Sequence, residues 1–221
     1  LNLKTDLLEK AGIKNNLALV YIQTKQYHSA IQILAPLTIQ TEVINDADNY
    51  SRILDNLGFC YLKLKKPKAF NYIQHALKIR LKNKNDQALI GSYYNHFQYY
   101  KGQDLNKAIH YAELAYAKAT KINQIDDRLE CLKLLIENAP ENQSKKYSLL
   151  YLQLNDSITK VRQRAKNQFA KIKYDSKKEK DENLKLKEQK AQNLLQLEKQ
   201  RKRTQLLYFL FTVLLFIFTF I

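Results

Sequence analysis

An alanine recurs at intervals of 39 residues through the first half of the chain, at Ala30, Ala69 and Ala108. Seven residues further on, a second set of small or apolar residues keeps the same interval: Leu37, Ala76 and Ala115. Repeats with a period of about 20 to 50 residues are typical of proteins in which similar units stack, because no single unit can bury its apolar face alone. The interval therefore predicts stacked copies of one supersecondary unit.

Each repeat contains two apolar segments separated by a short polar turn. The first segment ends at a tyrosine in every copy: Tyr21, Tyr61 and Tyr99. With four glycines and three prolines in 221 residues, the chain has few of the turn residues that β architectures require. We therefore predict an all-α fold built of helical hairpins, in which small residues such as Ala18 and Gly58 let the helices approach closely.

The pattern resembles the tetratricopeptide repeat (TPR), whose signature is carried here by Leu57, Gly58, Tyr61 and Ala69. Three units span residues 12 to 116, and a weaker fourth covers residues 126 to 154. The period of 39 is longer than the usual period of about 34, and His96 stands where the third unit should have a small residue. The resemblance implies a TPR-like α-solenoid of about four hairpins over residues 1–155.

The segment 156–205 is predicted to be a basic helical linker. Between Lys160 and Arg203 it contains 16 Lys or Arg residues against 6 Asp or Glu residues. Apolar residues recur at a heptad-like spacing: Ile158, Val161, Ala165, Phe169 and Ile172. Two interpretations fit this spacing: a parallel coiled coil that makes the protein a homodimer, or a charged single helix that acts as a spacer.

The segment 206–221 contains no charged residue and follows the basic run 201–203. A transmembrane helix needs about 20 apolar residues to cross roughly 30 Å of hydrocarbon. We therefore expect a truncated single membrane span, with further chain beyond Ile221. The absence of methionine and the start at Leu1 likewise suggest an internal piece of a longer protein.

The linker resembles that of TPR sensor proteins of Bacteroidetes type. The residues that carry this second resemblance are Leu154 to Ser157, Arg162 to Arg164, Asn167 to Phe169, Ile172, Tyr174 and Asp175. It implies a periplasmic repeat domain, one span of the bacterial inner membrane, and a histidine kinase or LuxR-type helix-turn-helix output domain, which has no counterpart in this chain. Counting basic residues beside the span favours the opposite orientation, with the repeats on the cytoplasmic side.

No catalytic residue, metal site or cofactor is predicted. The four histidines, His28, His75, His96 and His110, lie on different predicted helices and lack the spacing of zinc ligands. The glycines are isolated, so no phosphate-binding loop is present. Cys60 and Cys131 fall within apolar helical patterns and are expected to be buried thiols. Whether the full-length protein is an enzyme stays open, because the second resemblance implies either a sensor histidine kinase or a DNA-binding output domain.

A partner-binding surface is predicted on the first helix of each hairpin, which lines the concave face in the TPR family. The positions carried across by spacing are Asn15, Asn16, Arg52, Asp55, Asn56, Phe59, Lys63, Tyr93, Phe97, Tyr100 and Lys101. Aromatic residues beside cations suit an extended peptide that carries carboxylates, with asparagine side chains holding its backbone. The alternative is that Tyr93, Phe97 and Tyr100, at helical spacing, simply pack in the core.

Together these patterns predict an input module of a bacterial signalling protein that binds a peptide or protein and transmits the signal through the linker. The competing interpretation is a TPR scaffold, tethered by its tail, with no signalling output. Nucleic-acid binding by the basic helix is disfavoured, because Phe169 and Tyr174 are its only aromatic residues.

Overall fold

The computed structural model describes the chain from residue 3 to residue 219, and its side chains from residue 6 to residue 214. Within these residues all regular structure is helical, so the predicted all-α fold is confirmed. A short 3-10 helix, Ala35–Ile39, interrupts the series of α-helices. In chain order the α-helices are α1 (Leu3–Gln23), α2 (Tyr27–Leu34), α3 (Thr41–Ile44), α4 (Ala47–Lys63), α5 (Ala69–Lys82), α6 (Asp86–Tyr100), α7 (Leu105–Lys121), α8 (Ile125–Asn138) and α9 (Glu141–Thr219).

Side-chain caps begin three of the helices. Asp46 accepts a hydrogen bond from the backbone N–H of Asn49 at the start of α4. Asn85 accepts a hydrogen bond from the backbone N–H of Ala88 at the start of α6. Asp104 accepts one from the backbone N–H of Lys107 at the start of α7. A short polar side chain at this position pairs a backbone N–H group that the helix itself leaves unpaired. The caps therefore fix where these helices start.

Residues in the left-handed conformation end four of the helices. They are Lys25, Lys65, Lys84 and Asn123, with φ between 52° and 60°. In each case the N–H of the next residue bonds back to a carbonyl five positions earlier, as Gln26 does to Tyr21 at 2.7 Å. This is the Schellman arrangement, which usually employs glycine. The chain uses longer residues there, so these turns carry no glycine signal in the sequence.

The small residues of the repeat lie at helix contacts. Ala30, Ala69 and Ala108 are at most 1% exposed, which confirms the close packing predicted from their interval. Gly58 of α4 lies against α5: a Cβ placed there would be 2.5 Å from Cγ2 of Ile73 and 2.9 Å from its backbone nitrogen. The two helices therefore approach more closely than any side chain at position 58 would allow.

The chain divides by its internal contacts into two units, Leu1–Ser157 and Ile158–Ile221. In the first unit, sequential helices pack against each other, including α1 with α2, α4 with α5, and α6 with α7. Among the described residues of this unit, the buried apolar side chains form three clusters. In the second unit, which continues α9, every described side chain from residue 159 to residue 214 is exposed.

The predicted membrane span at 206–221 is wrong. Among the described residues, no helix combines the length and the apolar character that a bilayer crossing needs. The apolar part of α9 begins at Leu206, after the uncharged polar residues Thr204 and Gln205, and the described helix ends at Thr219. Residues 220 and 221, the last two of the predicted span, lie outside the described residues. The predicted single-pass inner-membrane localisation, with periplasmic repeats, is contradicted by this finding.

Replacing Gly58 with alanine tests the close approach of α4 and α5. We expect Gly58→Ala to lower the free energy of unfolding by about 1 to 3 kcal/mol, because the added methyl group overlaps Ile73. Gly12→Ala in α1 is the control, since its Cβ would meet nothing within 4 Å, and it should stabilise by up to about 1 kcal/mol. Thermal unfolding followed by circular dichroism measures both. Equal stability of the two variants would contradict the close approach.

Candidate partner-binding site

The predicted binding residues lie on three neighbouring helices. Asn15 and Asn16 are on α1, the residues from Arg52 to Lys63 are on α4, and those from Tyr93 to Tyr100 are on α6, with Lys101 capping that helix. Helix α4 contacts both α1 and α6. We call the predicted positions on α1, α4 and α6 the first-helix wall.

Hydrogen bonds join α1 to α4 across this wall. Asn56 Nδ2 donates to Asn15 Oδ1 at 2.9 Å, and Arg52 Nη2 approaches Asn16 Oδ1 at 3.4 Å. Asn15 is 2% exposed, and among the described residues its Nδ2 has no hydrogen-bond acceptor. Asn16 and Arg52 are exposed. The junction therefore holds one buried amide with an unused donor next to an exposed cation.

Two cations converge where α4 and α6 end. Lys63 Nζ donates to Gln98 Oε1 at 3.3 Å and lies 5.0 Å from the ring centroid of Phe59. Lys101 Nζ lies 5.7 Å from the ring centroid of Phe97. The pKa of Lys63 is lowered from its ordinary value, first by partial burial and then by the positive charge of Lys101. Within the described part of the chain, neither ammonium group forms a salt bridge.

Some predicted wall residues belong to the core instead. Tyr93 is 6% exposed and Phe97 is fully buried, each within a cluster of apolar side chains. Tyr100 is half-buried and stacks on Tyr111 of α7, with ring centroids 5.7 Å apart. These three rings are four and three residues apart, so they lie on one face of α6, and that face packs against α7. This supports the alternative that they pack in the core. Phe59 and Asn56 remain partly exposed.

Asp55, predicted to contact a partner, is buried in an ion pair with Arg80 of α5. Arg80 Nη1 donates to Asp55 Oδ2 at 2.6 Å and to Ser92 Oγ of α6 at 2.8 Å. Both charged side chains are at most 7% exposed. Asp55 is therefore a structural residue, and Arg80 joins α5 to both α4 and α6. Arg80 is not predicted from the sequence, although its position on the same helix face as Ile73 and Leu77 is a usable signal.

His96 is a structural residue of the core. It is fully buried, its Nδ1 lies 2.8 Å from the carbonyl oxygen of Ser92, and its Nε2 lies 2.9 Å from Gln74 Oε1. Burial lowers its pKa, so the neutral ring is favoured. The ring also packs against Tyr111, with centroids 4.7 Å apart. A histidine thus fills the space where the other units have a small residue.

The described residues contain no group of His, Cys, Asp or Glu that could hold a metal ion. Cys60 and Cys131 are buried free thiols. Burial raises the pKa of each to about 12, helped at Cys131 by the charges of Asp127 and Glu130. Both thiols are therefore protonated near neutral pH, and thiols are poor nucleophiles in that form.

A groove of about 400 Å³ between α6 and α8 was not predicted from the sequence. Its lining includes the apolar residues Ile90 and Leu134, together with Tyr94, Asp127 and Glu130. Burial and then the negative charge of Glu130 raise the pKa of the Tyr94 hydroxyl. The groove therefore joins apolar surface to two carboxylates. Its charge is opposite to that of the Lys63 and Lys101 pair.

No protein-family model matches the chain, and no curated protein is significantly similar to it. The resemblance to the TPR family therefore depends on the residues and intervals of the chain itself.

Removing the Asp55 carboxylate should destabilise the first unit strongly. We expect Asp55→Ala to cost about 3 to 5 kcal/mol of unfolding free energy, because it leaves the Arg80 charge buried without a partner. The double variant Asp55→Leu, Arg80→Met should recover much of this loss. Glu130→Ala is the control, since it breaks an exposed pair with Lys133 worth at most about 1 kcal/mol. Urea unfolding measures all three, and a mild effect of Asp55→Ala alone would contradict the buried pair.

Proposed function

We propose that residues 1–155 form a TPR-like α-solenoid whose first-helix wall binds an extended peptide or a segment of a partner protein. The observations that support a repeat are the 39-residue interval, the buried alanines that follow it and the pairwise packing of sequential helices. Contact of α4 with both α1 and α6 brings first helices of successive hairpins together. Adjacent first helices provide the elongated surface that an extended chain requires.

The pair Lys63 and Lys101 is the observation that carries this proposal. Partial burial and then the positive charge of Lys101 lower the pKa of Lys63, so the two ammonium groups lie close enough to repel each other in the free protein. A bound carboxylate would relieve that repulsion and would be held by two cations at once. The partly exposed ring of Phe59 lies beside Lys63 and offers an apolar contact. The ligand that fits is an acidic segment with apolar or aromatic side chains.

The remaining polar groups extend this site in two directions. Towards α1, Arg52, Asn16 and Asn56 can hold a peptide backbone or a second carboxylate. Towards α8, the groove that contains Asp127 and Glu130 suits a basic side chain. A partner with an acidic stretch and a basic residue is therefore favoured over a uniformly acidic one.

The wider role that we propose is the input part of a bacterial signalling protein. Its support is the resemblance of residues 154–175 to the linkers of TPR sensors. Partner binding would then alter the helical linker and so the activity of a histidine kinase or helix-turn-helix output domain. The alternative is a scaffold without signalling output. Hydrogen exchange along α9 separates them: a ligand that leaves every amide of α9 unchanged favours the scaffold.

Neutralising the two lysines should weaken binding of acidic peptides. The probes are two blocked ten-residue peptides of the same apolar composition, one carrying Glu at alternate positions and the other Gln. We expect Lys63→Gln, Lys101→Gln to reduce affinity for the Glu peptide about 5-fold to 30-fold, corresponding to about 1 to 2 kcal/mol. Lys65→Gln, Lys66→Gln is the control, because it removes the same charge from the exposed turn after α4.

Fluorescence anisotropy measures these affinities, and circular dichroism confirms that each variant is folded. Equal weakening by both double variants would mean that only the net charge of the protein matters. Equal binding of the Glu and Gln peptides to the native chain would overturn the proposed site.

The binding should also depend on pH in a defined direction. A carboxylate bound at Lys63 requires the protonated amine, and the pKa of that amine is lowered from 10.5 in the free protein. Affinity for the Glu peptide should therefore fall as pH rises, beginning below the pH at which an ordinary lysine loses its proton. Lys63→Arg keeps its positive charge throughout this pH range. It should therefore reduce the loss of affinity at high pH. Identical pH profiles of the native and arginine forms would exclude Lys63 as the titrating contact.

A further inference from the structure

The second unit carries a narrow apolar stripe on α9. Ile158, Val161, Ala165, Phe169 and Ile172 follow one another at intervals of three or four residues. Three of them are strongly exposed, with Val161 at 54%, Phe169 at 69% and Ile172 at 66%. At 3.6 residues per turn the stripe covers about 80° of the helix surface. A stripe this narrow is typical of a coiled-coil seam, whereas helices that cover a globular core present about 100° or more.

Cations flank the stripe on both sides. By helical position, one row consists of Lys160, Arg164 and Lys171, and the other of Arg162, Lys166 and Lys173. Between residues 158 and 174 the sequence contains no Asp or Glu, so the formal net charge of this segment is +6. The remaining sector of the helix, opposite the stripe, includes Gln163 and Asn167, which hydrogen-bond to each other at 3.0 Å.

The charges of these two rows determine which kind of helix can pack on the stripe. Residues beside a coiled-coil seam face the flanks of the partner helix, and opposite charges there determine which helices pair. A second copy of the same segment would place cations against cations in either orientation, and such juxtaposition disfavours the pairing. A helix with apolar residues at the same spacing and acidic flanks would match both features. The homodimer predicted from the sequence does not gain support from this segment.

We propose that residues 158–174 pair with an acidic amphipathic helix of a partner protein, through a heterotypic coiled coil. The seam consists of the apolar stripe, and the two rows of cations select for Glu or Asp on the flanks of the partner. A nucleic acid would use the charges and leave the stripe exposed to water. An anionic lipid surface would use both, but a helix that lies on a membrane presents a wider apolar face than this one.

Two synthetic helical peptides of about three heptads test the proposal. Both carry Ile and Leu along the seam, and they differ only in having Glu or Lys at every flanking position. With the full chain at moderate salt, we expect the Glu peptide to bind at least tenfold more tightly than the Lys peptide. Its affinity should fall as salt is raised.

Two pairs of variants assign the contact to this segment. Val161→Gln, Ile172→Gln removes two exposed seam residues, and Arg164→Gln, Lys171→Gln removes two cations from one row. Each should weaken binding of the Glu peptide at least fivefold. Gln163→Glu, Asn167→Glu lowers the net charge by the same two units on the face opposite the stripe, and should have a smaller effect than the change in the cation row. Circular dichroism checks that helix content is unchanged.

Three results would overturn the proposal. The first is equal binding of the Glu and Lys peptides. The second is a self-associated chain in sedimentation that Val161→Gln, Ile172→Gln converts to monomer, since a second copy would then cover the stripe. The third is tighter binding of the chain to vesicles of phosphatidylglycerol and phosphatidylcholine than to the Glu peptide, if Val161→Gln, Ile172→Gln also abolishes the binding to vesicles.

Discussion

The close contact between Gly58 and Ile73 is the constraint on which the middle of the first unit depends. With a Cβ distance of 2.5 Å, no side chain fits at position 58 unless α4 and α5 separate. The position of α5 in turn places Arg80 opposite Asp55 of α4 and Ser92 of α6. A buried charge of this kind is stable only when its partners are in place. Small-residue packing and the buried ion pair are therefore geometrically linked.

The same linkage explains why the candidate site lies where it does. Because α4 is fixed against α5 and contacts α1 and α6, its outward residues align with theirs. Lys63 thereby comes close enough to Lys101 that the positive charge of Lys101 adds to partial burial in lowering the pKa of Lys63. The positions of the wall residues thus follow from the packing of the core. The polar groups of the wall are carried by helices whose relative positions are fixed by buried contacts, as the preformed binding surface that we propose would require.

Much of the fold follows from periodicity, because burial of small residues at helix contacts leaves a recurrent mark in the sequence. The alanines at 30, 69 and 108 confirm this. Periodicity identifies a face but does not say which neighbour covers it, so Tyr93 and Phe97 were assigned to the wall when they belong to the core. Arg80 was missed because a charge on an apolar face needs a partner that only the three-dimensional arrangement reveals. The apolar run from Leu206 suggests a membrane span, but no helix among the described residues is both long and apolar enough to cross a bilayer. The TPR assignment and the signalling role stay predictions.

The helix ends at Lys25, Lys65, Lys84 and Asn123 have an evolutionary consequence. Each of the three lysines holds its side chain in a backbone conformation that costs about 1 kcal/mol relative to glycine, whereas asparagine adopts this conformation more readily. Natural domains are stable by only about 5 to 15 kcal/mol. These lysine positions therefore reduce the stability that is available to offset destabilising mutations elsewhere in the first unit. Glycine at these turns would remove that cost and would leave more stability to offset substitutions on the surface of the first unit.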